Sequence, residues 1–201
     1  MQQIYIANPK GGCGETAMAA ALVGYCSRHD VGIQLIDQNP QYAPNKGQTE
    51  QQLPLPHTTE LRLHNLPSAA LLGLPKGHIQ SGDKVIVPVL PSPTDITACM
   101  RYTLALYRSG VLAMGAHVGL VGNGMRGNAH YCKTLMEHFA QREVPYMANL
   151  QESQNYLRAM SQGLSIFDLP TDQSELEPGL WEPLLQWLNL PVINQRTMQR
   201  A

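Results

Sequence analysis

The sequence predicts a single-domain α/β fold over residues 1–201: a doubly wound, mostly parallel sheet with helices on both faces. Three observations predict it. Short β-branched runs alternate with helix-forming stretches of about ten to fifteen residues, the pattern of βαβ units. The first run ends in a glycine cluster that leads directly into a helix. A chain of 201 residues with 43% hydrophobic content is also long enough to bury a core without disulfide or metal staples.

The elements follow in order. Ile4 to Ala7 form a strand, Asn8-Pro9-Lys10-Gly11-Gly12-Cys13-Gly14 a loop, and from Thr16 the run AMAAALVGYC a helix. Residues 31–36 form a second strand that ends at Asp37, and the polar, proline-bearing stretch 38–57 predicts a long loop. A weak strand at 61–63 precedes KVIVPVL at 84–90, a continuous β-branched run suited to burial on both faces, with Pro88 an awkward member. Asp95 is the expected N-cap of a helix to Ser109, with Ile96, Met100, Leu104 and Tyr107 facing inward and Gly110 ending it. A strand at 117–122, a helix at 130–142, a short strand at Tyr146-Met147 and a helix at 154–162 come next. An amphipathic helix at 174–188 closes the chain, its stripe of Trp181, Leu184, Leu185 and Leu188 predicted to be core.

Composition excludes several classes. With 14 Lys+Arg against 15 Asp+Glu and only 14% charged residues, the chain is neither disordered nor strongly basic, so any DNA contact needs a local patch. Arg126, Lys133, Arg142, Arg158, Arg196 and Arg200 are the scattered candidates for one. No apolar run approaches the ~18 residues of a membrane span, so a cytoplasmic location without membrane contact is expected. Cys13, Cys26, Cys99 and Cys132 form no CxxC pair, which predicts reduced thiols. His130 and Cys132, two apart on an expected helix, cannot share a face, so with His138 they predict an ordinary helix surface and not a metal site. No GxSxG nucleophile motif is present.

In a parallel sheet, ligands sit at the carboxyl ends of the strands. The glycines at 11, 12 and 14 let backbone N–H groups turn inward around an anion at a helix start. The run from Asn8 to Thr16 resembles the deviant Walker A motif of the ParA/MinD partition ATPases, a P-loop NTPase family. Leu35-Ile36-Asp37-Gln38-Asn39-Pro40-Gln41 resembles its second motif, and residues 87–95 its later strand and turn. Residues 119–123, 154–158 and 163–168 are similar to its adenine-reading strand and C-terminal signature, so the match spans most of the chain.

The resemblance implies binding of ATP and Mg²⁺. Lys10 would be the signature lysine that reaches the partner's phosphates in a homodimer with nucleotide at its interface. Gly11, Gly12, Cys13 and Gly14 would supply the backbone cradle, with Glu15, Thr16 and Ala17 completing the contact. Thr16 would ligate Mg²⁺, Asp37 would position metal and attacking water, and Asn123 would read the adenine edge. Non-specific DNA on the nucleoid and a cargo adaptor or hydrolysis-stimulating protein would be the partners. The function implied is partitioning or positioning of DNA or a large protein cargo by a nucleotide-dependent dimer switch with weakened hydrolysis. A catalytically dead scaffold that keeps the dimer surface is the alternative. A dinucleotide-binding enzyme is disfavoured, because the loop lacks GxGxxG spacing even though Asp37 ends the second strand.

Three departures motivate the word weakened. Pro9 and Glu15 break GxxxxGK[ST], and Glu15 stands where the lysine belongs. Asn39 replaces the second acid of D-x-D-P-Q, and Asn65-Leu66-Pro67-Ser68 stands where the family has D-[TA]-P. A unit charge at ~4 Å is worth ~4 kcal/mol at an effective dielectric of 20, so a carboxylate in place of the lysine opposes phosphate strongly. Glu15→Lys should therefore strengthen nucleotide binding in a calorimetric titration of Mg·ATP, and equal affinity in variant and parent would refute this.

Overall fold

The computed structural model describes residues 1–38, 50–51, 60–125, 144–151, 153–169 and 180–192. Seven strands form one sheet: β1 (Gln2–Ile6), β2 (Ile33–Asp37), β3 (Glu50–Gln51), β4 (Leu61–Asn65), β5 (Lys84–Val89), β6 (His117–Met125) and β7 (Tyr146–Gln151). Their order is β3-β2-β4-β1-β5-β6-β7, and every pairing is parallel except that of β3 with β2. The helices are α1 (Glu15–Arg28), α2 (Pro93–Ser109), α3 (Asn155–Ser161) and α4 (Glu182–Trp187). Short 3-10 turns lie at Ala70–Gly73 and Ile166–Asp168.

β1 is central because both its faces are apolar. Ile4 and Ile6 pack into one core layer with Met18, Leu22, Cys26 and Trp181, while Tyr5 and Ala7 pack into the other with Val85, Val87, Cys99 and Leu106. α1 turns Met18, Ala19, Leu22, Tyr25 and Cys26 inward at helical spacing. Trp181 is fully buried, edge-on to Phe167 at 5.4 Å, and its indole N–H donates to the Tyr156 hydroxyl at 3.3 Å.

Several expectations need correction. The stretch 38–57 contains β3, which adds an antiparallel edge to β2. Ser92, not Asp95, caps α2: its hydroxyl accepts the Asp95 N–H at 3.1 Å, and Pro93 opens the first turn. The inward face of α2 is Ile96, Cys99, Thr103 and Leu106, and Tyr107 is 51% exposed. Tyr102 is buried on the same side, while Met100 packs at the edge of that core. Pro88 is tolerated because its carbonyl side faces past the last β1–β5 pair, where Asn8 Nδ2 donates to it and no strand needs its missing N–H.

The expected helix at 130–142, with His130, Cys132 and His138, lies outside the described residues, as does most of 174–188 before Trp181. Among the described residues no helix is long and apolar enough to cross a membrane. Trp181→Ala should cost ~3–5 kcal/mol through the cavity it leaves. A fall in Tm of roughly 10 °C is expected in a thermal melt, and an unchanged Tm would show that the ring is not a core anchor.

Candidate functional site

The carboxyl ends of β1, β2, β4, β5 and β6 converge on the glycine loop. Gly11, Gly12 and Gly14 take φ of 70°, 72° and 86°, the left-handed region closed to most side chains. A Cβ at Gly14 would stand 2.1 Å from Asn123 Nδ2, and one at Gly11 would stand 2.6 Å from Ser68 Oγ, so the loop is packed from beneath. Asn8, 1% exposed, fixes its start: Nδ2 donates to the Pro88 carbonyl, Oδ1 accepts the Lys10 N–H at 2.8 Å, and the Asn8 carbonyl accepts the Ala69 N–H.

Glu15 does not turn away from this loop. It begins α1, is 4% exposed, and its Oε2 accepts the Cys13 N–H at 2.9 Å. A carboxylate therefore sits on one of the N–H groups that the loop offers to an anion, where the helix dipole also favours negative charge. Burial, then the Glu15 charge, pushes the Cys13 thiol up to about 12, so this cysteine stays protonated.

Lys10 is engaged within its own chain. Its Nζ lies 2.8 Å from Asp95 Oδ1, in the first turn of α2. Burial raises the Asp95 carboxyl, but the hydrogen bonds from Lys10 and Ser92 and the Lys10 charge outweigh it, leaving the group below the usual carboxylate range.

Thr16, Asp37 and Asn65 meet at the start of α1 and the ends of β2 and β4. Asn65, fully buried, donates Nδ2 to Thr16 Oγ1 at 3.2 Å and to Asp37 Oδ1 at 3.1 Å. The amide presents its hydrogens to both oxygens. The Asn65 Oδ1 is buried with no hydrogen-bond partner. Mg²⁺ requires oxygen acceptors, commonly one or two carboxylates with phosphate oxygens. An NH₂ group aimed between Thr16 and Asp37, together with Glu15 on the loop, does not fit a magnesium–nucleotide complex in this arrangement.

The structure thus brings Thr16 and Asp37 together and gathers Gly11, Gly12, Cys13, Gly14 and Glu15 in the loop, with Ala17 in the first turn of α1. Asn123, for which the resemblance implied an adenine contact, donates Nδ2 to the Cys13 carbonyl at 2.6 Å and braces the loop. Asn39 lies outside the described residues, as do all the basic DNA candidates except Arg158. Among the described residues no cluster of three or more His, Cys, Asp or Glu could hold a metal ion. Sequence reasoning missed Asn8, Ser68 and the Lys10–Asp95 pair. The spacing Ser92-x-x-Asp95, a capping signature, was the available signal for an acid at the start of α2.

No protein-family model matches the chain, and no curated protein matches it in sequence. Solved structures match it in fold. The MinD cell division protein of Aquifex aeolicus gives a TM-score of 0.67 at 13% identity, over 98% of this chain and 100% of that one. The septum site-determining protein MinD of Pyrococcus horikoshii, complexed with Mg-ADP, gives 0.65 at 13% identity, over 100% and 98%. A protein of Borrelia burgdorferi B31 assigned to plasmid partition, bound to AMPPNP, gives 0.59 at 15% identity, over 92% and 99%. The fold is that of the ParA/MinD proteins, a P-loop NTPase-like α/β sheet.

The depressed Asp95 carboxyl gives a sign to the pH dependence. Its contribution to stability is present above the ordinary carboxylate pKa and is lost as pH falls through the lower folded value. Because Lys10 is half-exposed, Asp95→Asn should cost under ~1 kcal/mol at neutral pH and should flatten the acid limb of a urea-unfolding pH series. An acid limb identical to the parent's would show that the ion pair adds nothing.

Proposed function

We propose that the chain is a ParA/MinD-like protein for partitioning or positioning DNA or a large protein cargo, and that it acts as a scaffold which does not hydrolyse ATP. The observation that carries this reading is Asn65, whose amide donates to both Thr16 and Asp37, the two oxygens a cation would draw on. The likeness to MinD and to a protein assigned to plasmid partition supports the positioning part. Such a scaffold binds a partner protein or a second ParA-like chain through the surface that carries the glycine loop. Lys10, held on Asp95, gives that surface a fixed ion pair instead of a free cation.

A second reading is a nucleotide-dependent dimer switch with weakened hydrolysis. It is favoured by the presence of Lys10, Thr16 and Asp37 at the carboxyl ends of the strands, and by the nucleotide complexes among the structural neighbours.

Sizing by light scattering with and without Mg·ATP, with phosphate release followed on the same samples, separates the two. The scaffold should keep one oligomeric state and release no phosphate above the buffer control. A shift from monomer to dimer with Mg·ATP, or measurable turnover, would overturn the scaffold in favour of the switch.

A further inference from the structure

We infer that Glu15 is the specificity-determining residue of the loop: its carboxylate is an intramolecular stand-in for a phosphate group, seated on the Cys13 N–H, and it excludes di- and triphosphates from an otherwise intact cradle. This rests on the reading of the loop as a phosphate cradle and deepens it by naming what fills it.

Three observations carry the inference. First, the cradle keeps its shape. Three glycines hold left-handed φ, Asn123 braces the Cys13 carbonyl, and Asn8 ties the loop start to β5, so the loop has not collapsed into ordinary turn structure. Second, Glu15 is 4% exposed at a helix start where most carboxylates would reach solvent, and its Oε2 points back two residues to the Cys13 N–H. A buried carboxylate is costly unless it is hydrogen-bonded or paired, so this side chain is held by the loop's N–H and by the positive end of α1. Those are the two features that would otherwise attract a phosphate. Third, the nearest loop cation does not neutralise it, because Lys10 Nζ is bound to Asp95. The carboxylate therefore keeps the loop's company and a second anion meets its charge.

Occupation of the N–H differs from simple charge repulsion, which would act from any nearby position. An occupant must be removed from the N–H before an anion can enter. Parent, Glu15→Gln and Glu15→Ala proteins are titrated calorimetrically with inorganic pyrophosphate in the absence of magnesium, and exchange of the Cys13 amide hydrogen is followed by NMR without ligand. Glu15→Ala should bind pyrophosphate on the order of ten- to a hundredfold more tightly than the parent, the worth of one charge-assisted hydrogen bond. Glu15→Gln, which keeps an acceptor without the charge, should fall between them. The Cys13 amide should exchange about tenfold faster in ligand-free Glu15→Ala, in keeping with the loss of that bond, and should slow again when pyrophosphate is added.

Equal pyrophosphate affinity in parent and Glu15→Ala, including no binding by either, would overturn the inference, as would a Cys13 exchange rate unaffected by the substitution. If Glu15→Ala fails to fold, the near-isosteric Glu15→Gln carries the pyrophosphate comparison, and Glu15→Ser, too short to reach back to the Cys13 N–H, carries the exchange comparison. The exchange experiment contains no ligand and so can fail while the scaffold reading stands. Dimerisation of the parent by Mg·ATP would overturn both the scaffold and the exclusion of triphosphates by Glu15.

Discussion

Asn8 stands where β1 gives way to the glycine loop, and its buried amide bonds to Pro88 and Lys10 while its carbonyl takes the Ala69 N–H. Three segments far apart in sequence are thereby joined at one point: the loop, the end of β5 and the turn after β4. A buried amide without partners would cost several kcal/mol, so each of these bonds constrains the others. That single side chain ties the loop start over the strand ends, holding the Lys10 N–H and taking up the Pro88 carbonyl. Asn123 and Ser68 then pack the loop from below, and the glycines take the backbone angles that remain.

Within that frame the charges form a set that closes on itself. A phosphate loop with its lysine and a metal with its aspartate are complementary to a charged ligand. Here both complements are changed. Glu15 satisfies a loop N–H from inside, Lys10 is satisfied by Asp95, and Asn65 meets Asp37 and Thr16 with hydrogens where a cation would have brought positive charge. Glu15 and Asn65 are compatible with each other, since each satisfies a neighbouring polar group from within the chain.

Much of this was legible from residue order, and what was not has physical causes. Apolar runs bounded by turn residues locate β1, β2, β5 and β6, because strands buried on both faces admit little else. The glycine loop was legible because left-handed backbone angles demand glycine at particular places. Which face of α2 points inward was not, since Ile96 is compatible with either the Met100 or the Cys99 side and periodicity alone does not choose the face that buries Cys99, Tyr102 and Leu106. The two-residue β3 could not be read from a polar stretch, because its pairing is supplied by β2 and not by its own composition. The destination of the Glu15 carboxylate was open as well. Charge arithmetic said that it opposes phosphate, but whether a side chain turns outward or folds back two residues depends on an unpaired N–H that exists only after the loop is formed.

The ion pair between Lys10 and Asp95 also has a mechanical side. Asp95 lies in the first turn of α2, a helix of 17 residues, and at 1.5 Å per residue this is a rod roughly 25 Å long. The loop is therefore tied through Lys10 to the first turn of a helix whose buried residues Ile96, Cys99, Tyr102 and Leu106 anchor it in the core, so the lysine is referenced to the body of the protein and not to the loop alone.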